Sequence, residues 1–104
     1  MSKFIAELIG TFIFVLVILC SIKNLNEMKS PGGIPFVIGI GLIVALFVNL
    51  GAGGDGHLNP AVTSVVFAKG DLTGSMFAGY VGSQIVGALL ALAVYKALQL
   101  PKTP

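Results

Sequence analysis

Three long apolar runs and one short one alternate with polar stretches along this chain. The long runs are Phe4 to Ile22, Ile34 to Leu50 and Met76 to Leu98. Each is near the ~20 residues that an α-helix needs to cross a ~30 Å hydrocarbon core. Each therefore predicts a spanning helix. Ser21 to Gly33 reads as a polar surface connection, Lys69 to Ser75 as a short turn and Gln99 to Pro104 as a short polar tail. The fourth apolar run is different. Asn59 can cap a helix, Pro60 suits its first position, and Gly70 offers a stop. The run between them, Pro60 to Lys69, is about ten residues, or ~15 Å, half of the core. Its lead-in, Gly51 to Gly56, has four glycines in six residues, which suits a tightly turning backbone. A half-length apolar helix behind such a lead-in predicts a re-entrant segment ending at mid-membrane, where irregular backbone must be buried in protein or line a water-filled cavity. A short interfacial helix in a surface loop is the competing reading, and spacing alone leaves both open.

Composition settles the class. Of 104 residues, 56% are hydrophobic and only 10% charged, and the mean hydropathy is +1.01. This predicts an all-α integral membrane protein, with room in residues 1–104 for three spans and a single membrane domain. The first span lacks the basic lead and small-residue cleavage site of a signal peptide. A net charge of +2 is too small to argue for a nucleic-acid partner. Cys20 is alone in an apolar run and reads as an inert thiol. No nucleophile–base pair or metal-ligand cluster is evident, so neither an enzyme nor a cofactor is expected.

Polar residues inside the spans carry the remaining information. Glu7 lies near one end of the first span. It either snorkels to the interface or faces inward to accept backbone N–H groups of the re-entrant loop. Ala6 and Gly10 give that helix a small packing face. In the second span Gly39, Gly41 and Ala45 are small, and Asn49 reads as an interfacial residue. The third span carries small residues four apart, Gly79, Ser83, Gly87 and Ala91, which predicts close helix packing. Gln84 reads most simply as interhelical glue, with a site role as the alternative.

Three segments carry a family resemblance. GHLNPAVT resembles the Asn-Pro-Ala motif of the aquaporin (major intrinsic protein) family, AELIGT its first helix, and GYVGSQIVGALLA its third. The resemblance covers nearly the whole chain but only one half of the family's architecture, in which two inverted halves bring two half-helices together at mid-membrane. It implies that Glu7 holds the re-entrant loop. It implies a pore centre at Asn59, Pro60 and Ala61, with carbonyls of Asp55, Gly56 and His57 leading to it. His57 reads as a structurally bonded ring, with a pH-sensitive role as the alternative. The chain also departs from the family. Val62 stands where the second-half motif has an arginine, the chain contains no arginine, and Gly39 falls where a bulky filter residue is common. Ser64-Val65 replaces the usual pair after the threonine. These changes imply a wider, less polar pore that admits small neutral solutes such as glycerol.

One half-helix cannot enclose a pore alone. The expected solution is an antiparallel homodimer in the bilayer, with pores gathered into a larger oligomer. Lys3 and Lys69 fall on one side, and Lys23, Lys29, Lys96 and Lys102 on the other. So small a bias permits dual topology. The functional expectation is a passive channel for water or small neutral solutes. The alternatives are a non-conducting or hetero-assembling subunit that needs a complementary second half, and an ion-coupled transporter. The transporter is disfavoured because no buried acidic pair is evident beyond Glu7.

Overall fold

The computed structural model describes residues 2–99. Its elements are α1 (Lys3–Glu27), a 3-10 turn (Pro31–Gly33), α2 (Ile34–Gly51), α3 (Pro60–Ala68) and α4 (Gly74–Leu98). The three long helices, α1, α2 and α4, are long and apolar enough to cross a membrane. Lys102 lies outside the described residues. Ser2 caps α1 and Thr73 caps α4, each side chain accepting from a first-turn N–H. The first helix is longer than its apolar run. Residues 23–27, expected in the connection, form its last turn, where Lys23 Nζ lies 3.3 Å from Glu27 Oε1 one turn away. A helix end emerging from the apolar layer can continue on such pairs.

Helix α1 is central: it packs against α2 on one side and α4 on the other. It runs antiparallel to α2, with Val17 beside Gly41 and Ala6 beside Asn49. It runs parallel to α4, with Phe4 beside Gly79 and Leu8 beside Gly87. The α1–α4 crossing is tightest at Gly87, where an added Cβ would collide with the backbone carbonyl of Leu8. The buried line on α4 is Tyr80, Gln84, Gly87 and Ala91. It departs from the expected small-residue stripe in its first two turns, where Gly79 and Ser83 are only half-buried. Gly79 serves instead as the seat of the Phe4 ring. Gly10 receives the Leu58 side chain from the loop, with Asn49 of α2 packed beside it.

The half-helix is re-entrant. Asn59, its N-cap, shares a cavity with Phe14 and Leu42, which lie near the midpoints of α1 and α2. From there α3 runs back antiparallel to α4: Thr63 meets Gln84, and Phe67 stacks on Phe77 in the first turn of α4 at 4.7 Å. Gly70, at φ 95°, ends the segment beside that same turn. The chain thus enters and leaves from the end of the bundle that holds Lys3. Polarity is inverted relative to a water-soluble fold. Glu7, Asn49, Thr63 and Gln84 are at most 1% exposed, whereas Phe36 and Phe47 are 75% exposed. Apolar groups face outward, where lipid would solvate them, and hydrogen-bonding groups face each other.

Candidate functional site

The site is built from a loop, residues 52–59, fastened to α1, α2 and α4. Gly53 and Gly56 take positive φ, as does Leu58 at 57°. For a leucine this costs roughly 1–2 kcal/mol. The Leu58 side chain is 4% exposed and fills the notch over Gly10, so its burial offsets the strain. Positive φ at residues 56 and 58 turns successive main-chain N–H groups toward the bundle interior, a concavity suited to an anion. Glu7 supplies the anion. Its Oε1 accepts from Leu58 N at 2.8 Å, and its Oε2 from His57 N at 3.3 Å. Gly56 N donates to Asn49 Oδ1 at 2.7 Å.

The carboxylate has two further donors. Asn49 Nδ2 donates to Oε2 at 2.8 Å and Gln84 Nε2 to Oε1 at 3.0 Å. Four N–H groups on one buried carboxyl match the acceptor-only hydrogen bonding of an ionised carboxylate. Gln84 Nε2 also donates to Thr63 Oγ1 at 2.8 Å, which ties the half-helix to the same centre. Thr63 Oγ1 in turn lies 2.9 Å from His57 Nδ1 and bonds back to the Asn59 carbonyl at 3.3 Å. The His57 ring stands edge-on to Tyr80, centroids 5.0 Å apart.

A second fastening lies at the mouth. The Asp55 carboxylate accepts from Tyr80 Oη and from Lys3 Nζ, the latter at 3.1 Å. The Tyr80 hydroxyl does most to hold its carboxyl below the usual range; burial opposes this, and the Lys3 ammonium adds to the lowering. The loop is thereby pinned to the first turn of α1 and the second turn of α4.

Against the loop lies a cavity of about 290 Å³, lined by Phe14, Leu42, Leu46, Gly56, His57, Leu58, Asn59 and Val62. One wall is hydrocarbon from α1 and α2. The other carries the polar loop. Asn59 Oδ1 accepts from Ala61 N at 2.8 Å, completing the cap. Its Nδ2 has no partner among the described residues and is left to donate into the cavity. Pro60 and Ala61 are exposed beside it.

The structure thus brings Asn59, Gly56, His57 and Val62 to one cavity. Asp55 stands outside that lining, its carboxylate turned to the mouth. Gly39 is also outside it, exposed one turn before Leu42, with no atom within 4 Å of where a Cβ would lie. Asn49 is not interfacial as the sequence suggested. It is fully buried, because α1 and the loop close over the end of α2 and give its amide three hydrogen-bonding partners in protein. Its spacing held the missing signal: Gly41, Ala45 and Asn49 form one buried line, four residues apart. Tyr80 and Lys3 were missed as partners of Asp55, since 25 and 52 residues separate them from it.

A helical bundle with apolar exterior, polar interior and a re-entrant half-helix defines an integral membrane protein organised around a membrane-embedded cavity. Comparison with known proteins makes this more particular. The model of the Major intrinsic protein family matches residues 1–103, and the chain belongs to that family. It is 36% identical over 93 residues to Aquaporin-9 of Rattus norvegicus, covering 86% of this chain and 31% of that protein. It is 37% identical over 101 residues to a Probable glycerol uptake facilitator protein of Thermotoga maritima, covering 91% and 43%. It is 31% identical over 97 residues to Glycerol uptake facilitator protein-like 6 of Lactiplantibacillus plantarum, covering 93% and 44%. The chain spans less than half the length of these curated relatives. No solved structure matches it.

Proposed function

We propose that the chain forms a passive membrane channel for water and small neutral solutes such as glycerol, its pore completed by a second, inverted copy. The observation that carries this reading is the two-sided cavity at the tip of the half-helix, where Asn59, its Nδ2 without a partner among the described residues, shares the lining with Phe14, Leu42 and Leu46. A solute passing there exchanges part of its hydration for a few donors and acceptors on one wall, while the apolar wall offers none. The N-terminus of α3 directs partial positive charge to the same point, and two facing half-helices would raise a barrier to cations. The names of the relatives, aquaporin and glycerol uptake facilitator, agree with that solute class.

The second copy is argued from what one chain leaves open. Pro60, Ala61, Val62, Ser64 and Val65 are exposed along the half-helix, and the cavity has walls from α1, α2, the loop and Val62 of α3, with none from α4. An antiparallel partner brings a second Asn59 to mid-height and lines the other half of the path. A parallel partner would place both half-helices on one side. The test is osmotic swelling of proteoliposomes holding this chain alone. Faster water or glycerol equilibration than in empty liposomes is expected. No acceleration by folded protein would turn the reading to a subunit that assembles with a different, complementary half.

A further inference from the structure

One residue that holds the cavity lining in place does not itself touch the cavity. Asn49 is fully buried at the end of α2, and its amide is used on both sides. Nδ2 donates to the Ala6 carbonyl at 2.9 Å and to Glu7 Oε2 at 2.8 Å. Oδ1 accepts from the main-chain N–H of Gly56, a residue that lines the cavity, at 2.7 Å. The amide cannot be turned over. Its two donors have two acceptors and its oxygen has a donor, and the reversed amide would face like with like three times. The loop is also pressed onto it: a Cβ on Gly54 would overlap the Asn49 side chain, and Gly54 N donates to the Asn49 carbonyl at 2.9 Å.

We propose that Asn49 is the positioning residue of the pore loop: its amide fixes Gly56 directly, and fixes His57 and Leu58 through the Glu7 carboxylate it orients. This rests on the passive-channel reading above. The chemistry demands an amide. A hydrocarbon of equal size would leave Gly56 N–H, the Ala6 carbonyl and one Glu7 oxygen short of a partner. A carboxylate would keep the bond from Gly56 but set acceptor against acceptor at Ala6 and Glu7. A single proton shared by the two carboxyls would restore the missing donor toward Glu7. Asn49→Asp therefore makes loop position depend on pH, which the loss of a merely space-filling side chain would not do. The ionisable groups around the site are Glu7 on α1, Tyr80 on α4, and Asp55 and His57 in the loop, with Lys3 on Asp55. Wild type carries all of these too, so the readout is the ratio of variant to wild type.

The test measures proteoliposome water flux between mildly acidic and neutral pH for wild type, Asn49→Asp and Asn49→Leu, with amide hydrogen exchange at residues 56–58. The Asp variant is expected to lose most of its flux and its Gly56 protection at neutral pH, and to regain both relative to wild type on acidification. The Leu variant is expected to lose both at every pH. An Asp variant matching wild type throughout, or one that is folded yet shows no acid recovery, overturns the proposal. If wild type itself does not conduct, the channel reading falls. The exchange measurements then still decide the role of Asn49: unchanged protection in both variants refutes it.

Discussion

Replacing Glu7 by glutamine tests the centre of the site with the smallest change in shape. The carboxylate receives four N–H donors: Leu58 N and Gln84 Nε2 on Oε1, His57 N and Asn49 Nδ2 on Oε2. Glutamine turns one of those oxygens into a donor, so one pair of N–H groups meets an N–H group. If the change falls on the Oε1 side, Gln84 can reverse its amide, since its own Oε1 has no partner among the described residues. Leu58 N is then still left without an acceptor. One buried, orphaned N–H costs about 1–3 kcal/mol. The bonds that survive change from charge-assisted to neutral and lose roughly 1 kcal/mol in total or more. Together these come to about 3 kcal/mol, more than a hundredfold in the ratio of docked to undocked loop. The expected result is a lower melting temperature in detergent, faster amide exchange at Leu58 and lower flux in proteoliposomes. A variant with unchanged melting, exchange and flux would refute the assignment of Glu7 as the anchor of the loop.

Further predictions concern packing, the mouth and the membrane. Gly87→Val should force α1 and α4 apart at the Leu8 carbonyl and destabilise by about 1–3 kcal/mol in a detergent melt, whereas Gly39→Ala, with nothing within 4 Å, should be neutral. Because the Asp55 carboxyl is held below its ordinary range, its contribution is complete above the ordinary carboxylate range and is lost as pH falls through the depressed value. Protease nicking of residues 52–56 should therefore rise on strong acidification in wild type, and Asp55→Asn should show the raised rate already at neutral pH. A cysteine at Gly32, in a Cys20→Ser background, should be labelled from both membrane faces in comparable amounts. Labelling from one face only, in conducting protein, would exclude the antiparallel pair.

The half-helix was legible because its signals are local: a capping Asn59, Pro60 after it and Gly70 at its end determine α3 within a few residues. The spans were legible from length and apolar content, except where α1 continues past Ile22 on polar residues that apolar counting ignores. The inward use of Glu7 was suggested by resemblance, since spacing alone allowed it to snorkel. The burial of Asn49 and the partners of the Asp55 carboxylate were not legible, for opposite reasons. Asn49 sits close to a helix end, where polar residues usually meet water, and only the closure of the loop buries it. Asp55 was read for its backbone, but its carboxylate is what the fold uses, through partners on two distant helices.

The sequence separations within the Glu7 cluster also impose an order of events. A chain made from its amino end inserts α1 before any partner of Glu7 exists. Asn49 follows 42 residues later, the loop N–H groups 50 and 51 later, and Gln84 77 later. Until then the carboxyl has nothing in the nascent protein to bind, and a charge so near the end of α1 is least costly at the headgroup level. Helix α1 is therefore placed at least cost in a shallower position until α2 and the loop arrive, and the set of donors around its carboxylate is completed only when α4 has been delivered. Its final depth is a product of assembly, set by helices and a loop that follow it in the chain.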